Sequence, residues 1–176
     1  RSVAQKSTNM FKQKITLATI LLLVSHLLSA QKFNKSFGVN IGGNFVTSAG
    51  SYYKTGIHIG AIGVFPVSSS RDAVTANLDL NTFPDKRSYR DVVKIVGIKA
   101  GYRFFPASKG LIYIHPNLGL GILSQGQGVG LVAGLGVGFL PKIGPGNLNV
   151  FTAYNYFMKG SSAGSVNLGI GYQFNL

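Results

Sequence analysis

The chain has 176 residues, of which 45% are hydrophobic and only 12% are charged. About a quarter of the residues are charged in an ordinary soluble domain, so this chain lacks the material for a charged coat. It contains no cysteine, which excludes disulfides, thiolate metal sites, cysteine nucleophiles and a lipid-modified cysteine.

The N-terminal segment has the layout of a secretory signal peptide. It begins at Met10, continues with two lysines, and then has an apolar run over residues 15–24. Small residues stand before a cut that we place after Ala30. The apolar run is short for a membrane-spanning helix, which is the alternative interpretation. We therefore predict a signal peptide over residues 10–30.

Residues 1–9 precede this start and are treated as an upstream extension that is not part of the fold. The domain is then residues 31–176, where 13 Lys and Arg against four Asp leave a net charge of +9. Its basic residues are scattered and do not form a basic-aromatic module, so we predict no nucleic-acid binding. A phosphate-rich lipid surface is the better partner for such a chain.

The C-terminal segment shows the clearest pattern, because apolar residues alternate with small or amide residues from Val166 to Leu176. A period of two places all the apolar side chains on one face of a β-strand. The opposite face carries glycine, asparagine and glutamine but no charge. Such a face suits the crowded polar interior of a membrane barrel.

The same alternation predicts seven further strands. They are residues 36–47, 56–65, 73–81, 92–104, 111–122, 129–139 and 148–156. After residue 30, no apolar run reaches the roughly 20 residues that a spanning helix needs. Eight strands of this length match tilted strands that cross a bilayer. The predicted fold is an all-β, eight-stranded, antiparallel, up-and-down transmembrane β-barrel.

Closely spaced Phe and Pro residues end the second, fourth and sixth predicted strands, since proline cannot donate to a ladder, and the eighth ends with Tyr-Gln-Phe. The connections 66–73, 106–110 and 141–147 are predicted to be periplasmic, together with both termini. The connections 48–55, 82–91, 123–128 and 157–165 then face outward. Phenylalanines at one level predict an interfacial aromatic belt: Phe37, Phe65, Phe104, Phe139 and Phe174.

A soluble lipocalin-like barrel also has eight up-and-down strands, but its polarity is opposite, with an apolar interior and a charged surface. On the predicted outward faces the only charge is Lys94, close to an outer connection. A lysine at this level can extend its ammonium to a lipid phosphate. The pattern therefore favours the membrane barrel.

The signal peptide, alternating strands, Phe-Pro turns and terminal Gly-Tyr-Gln-Phe resemble the small outer-membrane β-barrel families. These include the OmpA-like and OmpX-like barrels and the "outer membrane protein beta-barrel domain" proteins of Bacteroidetes type. The resemblance covers residues 31–176. It implies a porin-like wall in the outer membrane of a Gram-negative bacterium, insertion by the barrel-assembly machinery, a monomer, and no cofactor.

Five ionisable residues are predicted to point into the barrel: His58, Asp79, Lys99, Arg103 and His115. An eight-stranded barrel is nearly filled by its side chains, so we expect a polar plug in which Asp79 offsets Lys99 or Arg103. The alternative is a minimal, weakly anion-selective channel, because two fixed cations face one anion. We predict no metal site, since the histidines have no evident third ligand.

The outer connection 82–91 is the most basic one. We predict lipopolysaccharide contact through Lys86, Arg87, Arg90 and Lys94, because guanidinium and ammonium groups suit phosphate. A plain solvated loop is the alternative. A lipid A-modifying enzyme would need a nucleophile, a histidine and an acid at the outer rim. Glutamate is absent and both histidines of the domain fall within strands, so we predict no enzymatic activity.

Overall fold

The computed structural model describes residues 34–47, 52–67, 72–86, 92–106, 111–124, 128–159 and 163–176. The predicted signal peptide and the upstream extension lie outside the described residues. The strands are β1 (Ser36–Val46), β2 (Gly56–Pro66), β3 (Ala73–Pro84), β4 (Val92–Arg103), β5 (Ile112–Leu123), β6 (Gly128–Phe139), β7 (Lys142–Ile143), β8 (Gly146–Met158) and β9 (Ala163–Asn175).

The sheet closes on itself through two pairings that join its ends. Strands β1 to β6 pair in sequence order, β1 also pairs with β9, and β8 pairs with both β9 and β6. All pairings are antiparallel. The eight long strands therefore form a closed up-and-down barrel, and the predicted fold class is confirmed. We call the end where β1 begins and β9 ends the near end, and the opposite end the far end.

The period-two pattern separates the two faces of the barrel wall. Aliphatic residues at alternate positions are about half exposed on the outer face, as in Ile41, Ile98 and Leu118. Their neighbours along each strand point inward and are buried, as in Asn44 and Lys99. This is the reverse of a soluble protein, where burial removes apolar surface from water.

Several strands are longer than their sequence predicts. β3 continues to Pro84, and β8 and β9 extend their ladder to the pair Phe157↔Ala163. The predicted connections 82–91 and 157–165 are shorter by the same residues. The strands are longer because backbone pairing continues past the residues in which apolar and polar side chains alternate. Beyond β3 this pairing continues as an isolated bridge between Tyr53 and Asp85.

The near-end turn after β6 is tighter than the predicted connection 141–147. The two-residue strand β7 pairs with the start of β8, with Ile143 opposite Gly146. Gly144 has a φ of 60°, a left-handed conformation that side chains other than glycine rarely adopt. This φ explains why a glycine stands directly before Pro145 in the turn.

Glycines on the inner face allow neighbouring strands to approach closely. A Cβ atom on Gly119 would lie 2.0 Å from the carbonyl oxygen of Ile98 on the next strand. A Cβ on Gly42 would lie 2.1 Å from the carbonyl oxygen of Leu168, at the β1–β9 closure. These positions tolerate no side chain without a shift of backbone, because real Cβ atoms do not come so near.

Among the described residues, no helix is long and apolar enough to cross a membrane.

Candidate functional site

The barrel interior, or lumen, holds all five ionisable residues that the sequence assigns to it. His58, Asp79, Lys99, Arg103 and His115 are each at most 9% exposed. They come from β2, β3, β4 and β5, which are consecutive in the wall. The structure therefore brings them into one polar interior, although it divides them into separate groups.

One group is a buried ion pair near mid-height in the lumen. The ammonium nitrogen of Lys99 lies 2.6 Å from Oδ2 of Asp79, and it donates a hydrogen bond of 3.1 Å to Oδ1 of Asn155. Of the two partners that the sequence allows for Asp79, the structure selects Lys99. Short charge-assisted contacts of this kind are roughly twice as strong as neutral hydrogen bonds.

A second group surrounds His58 with asparagine side chains. Its Nδ1 lies 3.0 Å from Oδ1 of Asn81 and 3.3 Å from Nδ2 of Asn167. Asn44 also donates to Oδ1 of Asn81, at 3.3 Å. The ring packs edge-on against Phe151, with 5.8 Å between the ring centroids. These side-chain contacts involve five strands, β1, β2, β3, β8 and β9.

His115 belongs to a third group, toward the near end. Its Nε2 lies 2.8 Å from the hydroxyl oxygen of Thr75, which also accepts a hydrogen bond of 3.2 Å from Asn77. Within the described residues, no three His, Cys, Asp or Glu side chains are grouped as metal ligands. The two histidines thus have different partners and do not face a common centre.

Arg103 forms the fourth group and is only 1% exposed. Its Nη1 donates to Oε1 of Gln173 at 3.1 Å, and its guanidinium carbon lies 4.1 Å from the centre of the Tyr113 ring. The Tyr113 hydroxyl donates to Oδ1 of Asn149 at 2.7 Å, and Asn149 donates to Asn40 at 3.1 Å. This chain of contacts crosses the lumen from β4 to β1.

The lumen also contains buried apolar side chains beside the polar groups that the sequence places there. Toward the far end the inward residues Phe83, Val132 and Phe157 are buried. At the near end two apolar clusters form, one of Ile62, Val64 and Ala73, the other of Phe105, Tyr113 and Leu140. The ion pair and the His58 group therefore lie between the two apolar ends, whereas the Arg103 group lies beside the near-end clusters.

The phenylalanines that the sequence assigns to an aromatic belt lie at the near end of the outer face. Phe37, Phe65, Phe104 and Phe174 are between 45% and 49% exposed, and Phe139 is less exposed. Phe37 and Phe174 are direct partners across the β1–β9 ladder. Tyr102 lies at the same end and donates a hydrogen bond of 2.8 Å to Asp72. The sequence pattern missed this tyrosine-carboxylate contact, because Asp72 falls in a predicted turn.

At the far end the structure places two of the four residues that we assign to lipopolysaccharide contact. Lys94 is exposed on the outer face of β4, and Ser124 accepts from its backbone N–H at 3.0 Å. Lys86 is exposed and its N–H donates to the carbonyl oxygen of Tyr52 at 2.6 Å. Arg87 and Arg90 lie outside the described residues.

The fold is similar to solved outer-membrane barrels. The Yersinia pestis protein Ail, in a phospholipid bilayer nanodisc, matches with a TM-score of 0.56 and 18% identity over 81% of this chain and 100% of Ail. Neisserial surface protein A matches with a TM-score of 0.60 and 12% identity over 81% of this chain and 97% of that protein. At such identities the likeness concerns the fold.

No protein-family model matches the chain, and no curated protein matches it in sequence.

The Asp79–Lys99 pair gives a test of the lumen's energetics. We expect Asp79→Asn to lower the free energy of unfolding by roughly 3–5 kcal/mol, because Lys99 would become an uncompensated buried charge. Lys99→Met should cost a similar amount, and the double variant should cost clearly less than the two single losses added together. Urea unfolding followed by far-ultraviolet circular dichroism measures these values, since the chain has no tryptophan.

The control is Asp72→Asn, which changes a carboxylate that bonds to Tyr102 and should cost about 1 kcal/mol. Additive losses in the Asp79 and Lys99 variants would show that the two residues do not stabilise each other.

Proposed function

We propose that this protein is an integral β-barrel of the outer membrane of a Gram-negative bacterium, with a structural and interaction role. The observation that carries the proposal is the outer face of the barrel. Half-exposed aliphatic side chains cover the outward positions of all eight long strands. Lys94 is the only charged residue at these positions. In water, such a surface would cause the protein to aggregate, whereas the hydrocarbon core of a bilayer covers it.

Aromatic residues at both ends of the aliphatic surface support this location. Phe37, Phe65, Phe104 and Phe174 lie at the near end, and Phe45, Tyr154 and Tyr156 lie toward the far end. Aromatic side chains of this kind concentrate at the two membrane interfaces. We place the near end in the periplasm, because bacterial barrels have short periplasmic turns, such as the β7–β8 turn here.

We further propose that the lumen is a plug and that the protein has no enzymatic activity. The ion pair, the asparagine cluster and the apolar ends together support the plug. Planar-bilayer recordings should show no steady openings, and openings that disappear in Lys99→Ala would instead establish the minimal channel. Lipid A from cells with and without the protein should have the same mass profile, whereas a changed profile would establish the lipid A-modifying enzyme.

The membrane location predicts a dependence on depth for a charge on the outer face. We expect Leu118→Arg, at the middle of β5, to lower the stability of the barrel in phospholipid vesicles by about 2–4 kcal/mol. Val129→Arg, at the far-end start of β6, should cost about 0–1 kcal/mol because it lies at the interface. Urea titrations in vesicles measure both, and equal effects of the two variants would contradict a bilayer around this face.

Contact with lipopolysaccharide is proposed for Lys86 and Lys94 at the far end and for Arg87 and Arg90, which lie between β3 and β4 in the sequence. Ammonium and guanidinium groups release counterions and bond directly to phosphate oxygens. The backbone of Lys94 is held by Ser124, which fixes the point from which its side chain can reach a headgroup. Such contacts would anchor the barrel and stabilise the outer leaflet.

The test compares unfolding midpoints in vesicles with and without added lipopolysaccharide. We expect lipopolysaccharide to raise the midpoint of the wild type, and replacement of the four far-end bases by glutamine to remove most of this rise. The matched control replaces Lys35 and Lys142, two exposed near-end lysines, by glutamine and should keep the rise. If the control variant lost the rise in midpoint and the variant of the four bases kept it, the proposed lipopolysaccharide contact and the proposed orientation of the barrel would both be wrong.

A further inference from the structure

The charge of Arg103 is not balanced in the way that the charge of Lys99 is. In the part of the chain that the structure describes, the ion pair of the lumen joins Lys99 to Asp79, and Arg103 has no acidic partner. A buried guanidinium without a counter-charge is costly, because desolvation of an ion is compensated only by pairing and hydrogen bonds. Among the described residues, the compensation of this charge is therefore limited to the amide of Gln173 and the ring of Tyr113.

The acidic residues of the chain are few, and the aspartates that the structure describes have other contacts. There are four, and all are aspartates. Asp79 is paired with Lys99, and Asp72 accepts hydrogen bonds from Tyr102 and from the backbone of Phe105. Asp85 and Asp91 belong to the far-end connection by their position in the sequence, whereas Arg103 ends β4 at the near end.

Two hydrogen-bond donors of this group also have no partner. They are Nε of Arg103 and Nε2 of Gln173, and both side chains are 1% exposed. The two residues are already in contact through Nη1 of Arg103 and Oε1 of Gln173. Buried donors are normally satisfied, so two unsatisfied donors on adjacent side chains indicate a missing acceptor.

The geometry limits how an acceptor can approach the guanidinium. The Tyr113 ring covers one of its faces at 4.1 Å, and Gln173 occupies the Nη1 position. The edge that carries Nε remains.

We propose that Arg103 and Gln173 form a binding site for a small inorganic anion of the size of chloride. Nε of Arg103 and Nε2 of Gln173 donate to the anion, and the guanidinium supplies the compensating charge. The narrow interior of an eight-stranded barrel favours a monatomic anion over a larger oxyanion. With the anion bound, both lumen cations are balanced, Lys99 by Asp79 and Arg103 by the ligand. The site stabilises the barrel and requires no conduction.

The test uses sodium chloride as the probe and sodium gluconate at equal ionic strength as the reference, because gluconate is too large for the site. A ligand that binds only the folded state raises the unfolding temperature. For the wild type we expect a midpoint roughly 2–4 °C higher in chloride. The heat-dependent shift of the folded band on a detergent gel measures this midpoint for the full barrel.

The decisive variant is Gln173→Glu, which places a carboxylate at the contact with Arg103. We expect it to raise the midpoint in gluconate and to abolish the response to chloride. Asn155→Asp is the matched control, because it makes the same change beside Lys99, which is already paired. It should keep the chloride response. Arg103→Gln, where it folds, should lose the response as well.

Two outcomes would overturn the proposal. A chloride response of the same size in the wild type and in Gln173→Glu would show a general salt effect on the barrel. The absence of a response in the wild type, with no gain in stability in Gln173→Glu, would show that water satisfies the two donors.

Discussion

Closure of the backbone ladder between β1 and β9 is the constraint on which the rest of the structure depends. The pairing runs from Ser36↔Asn175 to Val46↔Ser165 and leaves the long strands without an open edge. Closure with eight strands also fixes the width of the barrel, so the inward side chains must fill the interior themselves. Every inward side chain therefore contributes to packing of the interior. Glycine occurs at inward positions where two strands come too close for a Cβ atom.

Because side chains fill the interior, each buried charge has to be compensated by the groups in direct contact with it. Lys99 and Arg103 lie on the same strand four residues apart, yet they have different surroundings. Lys99 meets a carboxylate and an amide oxygen, whereas Arg103 meets an aromatic ring and an amide. Inside a low-dielectric lumen these differences are not averaged by solvent, because water does not screen the charges.

Much of this arrangement follows from the sequence, because alternation in a strand assigns each side chain to a face. The inward position of Lys99 and Arg103 and the outward position of Lys94 needed no further information. The choice of Lys99 as partner of Asp79 could not be predicted, since it depends on the register between β3 and β4 and on the reach of each side chain.

The sequence was least informative where both faces of a strand are apolar. β8 has Tyr154 and Tyr156 outside and Phe151 and Phe157 inside, so the period of two no longer distinguishes the faces. The inward phenylalanines have a consequence for function. Phe157 contributes to the apolar far end of the lumen, and Phe151 supports His58, so the polar groups are separated from the rim. In the proposed orientation, recognition of a partner from outside would use the far-end connections and the outer face, where Lys86 and Lys94 are exposed.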